Sequence, residues 1–239
     1  MTIRIAVIGA GIMGSDHAGI IAGDLPGARL QVVCDASLDR ARAVADEFGA
    51  ADVATDPDQT ILRGDVDAVL IASPDHTHAP LARMSIAAGK PVLCEKPLSQ
   101  SSRECLEVIA AETATGRRLL QLGFMRRFDQ SYLEMKAALG DGSLGRALMM
   151  HNFHRNVETP ATGFTADMAI TNSAPHEFDI ARFVLGIDYT DISAFQPVMP
   201  GGKVGPVFMV LRTTGGQLVN IEINNNAAYG YDVRGELVG

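Results

Sequence analysis

The sequence predicts an α/β chain in two parts. Residues 1–124 read as a doubly wound parallel sheet, and residues 125–239 as an α+β part with a largely antiparallel open sheet. Three observations carry this. Short apolar runs alternate with helical patterns up to about residue 124, as buried parallel strands with crossover helices require. Beyond residue 125, strand-like segments follow one another with few helices between them, which favours antiparallel pairing. The first apolar run also leads directly into Gly9-Ala10-Gly11-Ile12-Met13-Gly14, a turn of the kind that opens a helix under a sheet.

In chain order, residues 3–8 form the first strand, and a helical segment follows the glycine turn. Residues 30–34 form the next strand, which ends at Asp35. Residues 37–48 read as a helix with Ser37 as its N-cap and Gly49 as its stop. Residues 67–72 are a continuous apolar run typical of a buried strand. Residues 77–88 make a helix closed by Gly89, residues 91–94 a strand, 99–115 a longer helix and 118–124 a further strand. In the second part the strands are expected at 147–153, 191–198, 207–213, 217–224 and 232–238, with Gly215-Gly216 turning a hairpin. Helices are expected there at 130–139 and 173–185. No internal repeat or low-complexity linker interrupts the pattern, and the end at Gly239, just after a strand, suggests a truncated sequence.

Each part of the first 35 residues has a physical task if a dinucleotide binds there. Gly9 permits the tight turn, Gly11 lets backbone N–H groups approach a pyrophosphate, and Gly14 lets the helix lie close to the sheet. Ile12 and Met13 complete the loop, whose helix N-terminus offers unpaired donors to the phosphates. Asp35 stands 21 positions after Gly14, where a carboxylate accepts from the adenosine ribose and repels a 2′-phosphate, so NAD is expected over NADP. Arg40, five residues on, is the one feature pulling the other way.

Composition narrows the class. With 47% hydrophobic and 20% charged residues, the 239-residue chain can bury a large core. A net charge of −8, with the basic cluster Arg126-Arg127 too short for a nucleic-acid footprint, argues against a nucleic-acid partner. No apolar run approaches the roughly 18 residues of a membrane span, and the first strand begins too early for a leader, so a cytoplasmic protein is expected. Cys34, Cys94 and Cys105 are odd in number and lack CxxC spacing, so they read as reduced core thiols, and no metal is expected.

Two further segments fall at the carboxyl edge of the parallel sheet, where ligands bind in such folds. One is Ser73-Pro74-Asp75-His76-Thr77-His78, and the other is Glu95-Lys96-Pro97, which aims Lys96 at the nicotinamide end of the crevice. Together with the glycine turn and Asn172-Ser173-Ala174-Pro175-His176-Glu177-Phe178-Asp179, they make the sequence resemble the Gfo/Idh/MocA family of NAD(P)-dependent oxidoreductases. Residues 123–129 (GFMRRFD), His154-Arg155-Asn156 and Tyr229-Gly230-Tyr231-Asp232 look most like its inositol 2-dehydrogenase branch.

The resemblance covers essentially the whole chain. It implies a Rossmann domain that binds NAD, followed by a substrate domain whose open sheet mediates homo-oligomers, dimers or tetramers. It also implies oxidation of a secondary alcohol of a cyclic polyol or sugar, with His176 as base and Lys96 stabilising the alkoxide. By the same resemblance, Ser73, Pro74, His78, Glu95 and Lys96 join Gly9, Gly11, Ile12, Met13, Gly14 and Asp35 around the cofactor. Arg126, Asn156, Asn172, His176 and Tyr231 match the substrate contacts. Residue by residue, Arg126 could instead pair with an acid, Asn156 cap a turn, and Tyr231 sit in the core. His17 and His151 read as plain structural residues.

One position departs from the family pattern. Asn172 stands four residues before His176, where inositol dehydrogenases carry Asp. On a regular helix the two side chains share a face, and an amide there removes a charge that would strengthen His176 as a base. Asp179, one turn after His176, could supply a carboxylate, although its place suggests a structural role. The departure keeps two alternatives in view: a non-catalytic NAD-binding sugar sensor, or an enzyme that uses NAD transiently to hydrolyse or isomerise a sugar.

Overall fold

The computed structural model describes residues 2–157, 165–199 and 204–239. The chain divides into two compact units, Met1–Gly123 and Phe124–Gly239. In the first, β1 (Ile3–Ile8), β2 (Ala28–Cys34), β3 (Asp52–Ala54), β4 (Ala68–Ile71), β5 (Val92–Cys94) and β6 (Leu120–Leu122) form one sheet in the order β3-β2-β1-β4-β5-β6. Every pairing is parallel. The order runs out from β1 in both directions, which is the doubly wound arrangement with its crevice beside β1 and β4. Apolar side chains cover both faces: Ala6 and Ile8 enter one buried cluster and Val7 the other.

The crossover helices are α1 (Ile12–Gly23), α2 (Leu38–Phe48), α3 (Pro57–Leu62), α4 (His78–Ala87) and α5 (Ser102–Ala114). The predicted stop signals work as expected at α2. The Ser37 side chain accepts from the Arg40 amide, and Gly49 ends the helix at φ +70°, a conformation glycine adopts without steric cost. The expected helix at 99–115 begins later, because Ser101 rather than Ser99 supplies the N-cap. The apolar pattern leaves β3 and α3 unassigned. Both are short, and the local signal is Asp56, which caps α3 by accepting from Asp58 and Gln59 ahead of Pro57.

The second unit is a mixed sheet with helices against one face. Its strands are β7 (Met149–Arg155), β8 (Tyr189–Phe195), β9 (Val207–Thr213), β10 (Leu218–Asn224) and β11 (Asp232–Val238), in the order β11-β7-β10-β9-β8. β7 and β10 pair in parallel and the other three pairings are antiparallel. The inward residues alternate along the strands, with Met150 on β7, Met209 and Leu211 on β9, and Val219, Ile221 and Ile223 on β10. They pack against Ile180, Ala181 and Val184 of α8 (Pro175–Leu185) and Tyr132 of α6 (Gln130–Gly140).

The helix expected from residue 173 differs at its start. A short turn, α7 (Ala166–Met168), runs into a π-helical turn over Ala169–Ser173, and the α-helix begins only at Pro175. Proline suits the first helical position, where no amide hydrogen is needed, and the Ala174 amide reaches back five residues to Ala169 at 3.1 Å. The wider turn shifts Asn172 away from the regular spacing to His176 that an α-helix would give. Among the described residues, no helix is long and apolar enough to cross a membrane.

Candidate active site

The glycine turn is shaped by what cannot fit there. Gly9 lies at φ +101°, and a Cβ on it would stand 2.4 Å from the carbonyl oxygen of Ala72. A Cβ on Gly14 would stand 1.8 Å from the carbonyl oxygen of Gly9, so any side chain forces the loop and helix apart. Gly11 has nothing within 4 Å of its would-be Cβ, which leaves open space over the backbone of the N-cap of α1. Ile12 and Met13 are exposed beside it. This open cradle, with its backbone donors, suits a pyrophosphate.

Asp35 closes the cradle at the end of β2. Its carboxylate accepts from the Ala10 amide at 2.9 Å and the Ser37 amide at 2.8 Å, and it pairs with Arg40 at 2.8 Å. Burial opposes its ionisation, but the two amides and the guanidinium outweigh that and hold the carboxyl below its usual range. A charged acceptor is thereby fixed where the adenosine ribose of a dinucleotide would lie. The residues present therefore fit NAD.

At the edge of β4 and β5, the residues expected around the cofactor fall into two groups. Ser73, Pro74, Glu95 and Lys96 stand on loops that follow the two strands, and the Lys96–Pro97 bond is cis. His78 lies behind them, fully buried, with its ring nitrogens each 2.7 Å from a carbonyl oxygen, one of Ser73 and one of Pro97. Its side chain therefore ties the two loops together.

His17, expected to be a plain structural residue, has a polar partner on the second of these loops. Its Nε2 lies 2.9 Å from Glu95. Burial of Glu95 is outweighed by this bond and by the Lys96 amide, and the carboxyl is held below its usual range. Gly123 belongs to the same cluster, since a Cβ there would meet the Glu95 carboxylate at 2.9–3.0 Å.

In the second unit, His176 opens α8, is almost fully buried, and has the Phe124 and His154 rings 6.2 Å away on either side. Tyr231 stands 6.1 Å beyond His154, edge to face. Arg126 is buried and ion-paired with Glu177 through Nη1, while its Nη2 is buried with no hydrogen-bond partner among the described residues. Arg126 and Tyr231 both line a cavity of about 870 Å³ with Tyr132 and Gly235, and Asn156, Asn172 and His176 lie outside it. Asn156, just past β7, donates to Asn225 at 2.9 Å and approaches Nε2 of His154 at 3.2 Å. Asn172 accepts from Thr171 at 2.9 Å. Asp179 is engaged by both arms of Arg127, at 2.5 and 2.7 Å, which makes it structural.

Glu177 and His154 lie within the segments that carry the family resemblance, but the sequence assigned them no site role. Glu177 shares a helical stripe with Ile180, Ala181 and Val184, and a carboxylate on an apolar stripe is the signal that marks it.

Comparison with known proteins places this geometry. Residues 3–124 match the family model described as an oxidoreductase family with an NAD-binding Rossmann fold. Residues 132–239 match the GFO/IDH/MocA C-terminal domain. The chain belongs to the GFO/IDH/MocA family.

Relatives in this family include inositol 2-dehydrogenase 1 of Saccharopolyspora erythraea, 46% identical over the whole chain and 72% of the relative. Inositol 2-dehydrogenase of Rhodococcus erythropolis is 41% identical over 99% of the chain and 69% of the relative. Among GFO/IDH/MocA structures, the myo-inositol dehydrogenase of Lactobacillus casei in complex with NAD(H) and myo-inositol superposes with a TM-score of 0.94. It is 28% identical, over 100% of this chain and 72% of that one. The scyllo-inositol dehydrogenase of the same organism, with bound NAD(H) and scyllo-inositol, gives 0.89 at 26% identity, over 100% and 74%.

Proposed function

We propose that the protein is an NAD-dependent dehydrogenase that oxidises a secondary alcohol of a cyclic polyol, in the manner of a myo-inositol 2-dehydrogenase. The observation that carries this reading is the match to inositol 2-dehydrogenases along the whole chain, with the glycine cradle and Asp35 intact. Gly9, Gly11 and Gly14 with the N-terminus of α1 hold the pyrophosphate, and Asp35 takes the adenosine ribose. The loops carrying Ser73, Pro74, Glu95 and Lys96 face the nicotinamide end, braced by His78 and His17. Bound NAD supplies the hydride acceptor.

The chain's own residues supply the rest of the chemistry. His176 accepts the hydroxyl proton as the carbinol hydride departs, and Lys96 places a positive charge at the oxygen where negative charge develops. The products are a ketone, NADH and a proton. Asn156, Asn172 and Tyr231 meet the remaining hydroxyls, with Arg126 contributing through its pairing with Glu177. We place the enzyme in the cytoplasm, as a dimer or tetramer joined through the outward sheet face of the second unit. There Phe195 and Phe208 are cross-strand neighbours and exposed by 59% and 43%, a pairing suited to burial against another copy.

The test is incubation with NAD and a panel of inositols and aldoses, following NADH. Production of NADH with an inositol is the expected result, and none with any polyol, under conditions where NAD binds, overturns it. His176→Gln should lower kcat by about 10²–10⁴-fold without weakening NADH binding. A second reading, a non-catalytic NAD-binding sugar sensor, is favoured by Asn172 alone. A strong gain of turnover in Asn172→Asp would support an attenuated natural site, whereas robust turnover unchanged by it removes the motive for a sensor.

A further inference from the structure

Glu95 stands where the chain leaves the parallel sheet after β5. Its own amide still donates to the carbonyl oxygen of Ile71 at 2.8 Å, and the Gly123 amide still donates to that of Cys94 at 2.8 Å. The next amide, that of Lys96, has left the ladder and donates at 3.3 Å to Oε2 of the Glu95 side chain. The other carboxylate oxygen, Oε1, meets Nε2 of His17 on α1 at 2.9 Å. A third element bounds the same group, because a Cβ on Gly123 would stand 2.9–3.0 Å from the Glu95 carboxylate. With its side chain only 14% exposed, Glu95 thus has α1 on one side, the end of β6 on another, and the Lys96 amide on a third.

The direction of the bond to His17 follows from the carboxylate. Glu95 is held ionised despite burial, and a carboxylate only accepts, so Nε2 of His17 carries a hydrogen and donates it. That conclusion is the same whether or not the other ring nitrogen is protonated. His17 follows Gly14 by three residues and precedes Ile21 by four, on the stripe that α1 buries. The helix that has the cradle at its N-terminus therefore also carries, in its second turn, the donor that fixes Glu95. What this does for Lys96 is a matter of freedom. A lysine ammonium ends a flexible four-carbon stem, so where it can act depends on how firmly the backbone at its root is held.

We propose that His17 and Glu95 are positioning residues for Lys96: His17 anchors the Glu95 carboxylate, and the carboxylate holds the Lys96 amide where the strand ends. The cradle helix and the root of the lysine are thereby one rigid piece. The benefit to catalysis rests on the dehydrogenase reading, in which Lys96 stabilises the alkoxide. The linkage from His17 to the Lys96 amide stands apart from it and is read separately.

The test pairs amide exchange with kinetics on the whole chain. In nitrogen-15 NMR, His17→Leu should lower the protection of the Lys96 amide against hydrogen exchange by about tenfold, the weight of one hydrogen bond. The Glu95 amide, bonded to Ile71, should stay within about twofold as the internal control. His17→Gln, whose amide can donate to Glu95, should restore most of the protection. With myo-inositol and NAD, His17→Leu should lower kcat by about 10–100-fold, with the polyol KM and the NADH affinity within about threefold, because the Lys96 charge acts on the transition state. In a Lys96→Met background the same substitution should change kcat by less than about twofold, since its effect runs through Lys96. Gly123→Ala, whose methyl would crowd the Glu95 carboxylate, should reproduce the losses of His17→Leu, and it decides alone if His17→Leu fails to fold. Unchanged protection of the Lys96 amide overturns the proposal. So do losses that multiply with those of Lys96→Met, or a joint loss of kcat and NADH affinity that His17→Gln does not rescue. A wild-type protein that oxidises no polyol removes the dehydrogenase reading, while the exchange data still decide whether His17 and Glu95 hold Lys96.

Discussion

The two units build their sites by opposite means. In the first, the cofactor cradle is made of backbone and missing side chains, and its one carboxylate, Asp35, is held by amides of the same loop region. In the second, the site is made of buried charge, with Glu177 answered by Arg126 from a distant turn and by His154 from a strand. A backbone cradle tolerates almost any sequence around it but no Cβ at two positions. A buried charge network tolerates changes of shape better than the loss of a partner, because a lone buried ion has nowhere to go.

The largest effect expected from that contrast is on stability. Arg126→Met keeps the volume of the side chain and removes its charge, leaving Glu177 buried with His154 alone. It should cost about 3–5 kcal/mol, read from urea unfolding of the second unit. A cost near zero would mean that the pair is solvated in practice and that the contrast is false. Next is Gly14→Ala in the first unit. Its methyl would fall on a backbone oxygen that cannot move without opening the loop, so overpacking should cost about 1–3 kcal/mol. NADH affinity should drop by about two orders of magnitude for the same reason, measured by fluorescence titration.

The same contrast explains what was legible in the sequence. The parallel sheet, the cradle and Asp35 could be read because their parts are local. Strand, turn and helix follow one another within 35 residues, and the glycines leave a fixed spacing. The α2 caps were visible for the same reason. β3 and α3 were not, since three strand residues and six helical ones carry too little periodicity. In the second unit the strands were legible from alternation, but the π turn before α8 was not, because its widening depends on how Pro175 and the Ala174 amide settle the chain. The buried network of Glu177, Arg126 and His154 joins positions up to 51 residues apart in numbering. Only folding brings them together, and Glu177 was marked only by the family segment it lies in and by its place on an apolar stripe.

Two smaller changes sharpen the description of the first unit. Asp35→Ser removes the charged acceptor for the ribose and releases Arg40, whose guanidinium is 63% exposed and able to meet a phosphate. The ratio of NAD to NADP affinity should fall by about tenfold or more, measured by parallel titrations. If the ratio does not move, Asp35 is holding the loop through Ala10 and Ser37 and not selecting the cofactor.

The smallest effect concerns pH and asks whether the first unit contains any charge device of the second unit's kind. His17 helps hold the Glu95 carboxyl below its usual range despite burial. A carboxyl depressed in the folded state adds stability above its unfolded value, about 4.3, and loses it as pH falls through the folded value. The difference in melting temperature between the wild type and His17→Leu should therefore be present at about pH 5 and close by about pH 3. A difference that stays constant over that range would assign His17 to packing. Glu95 in the first unit would then be no counterpart to the buried charge of Glu177.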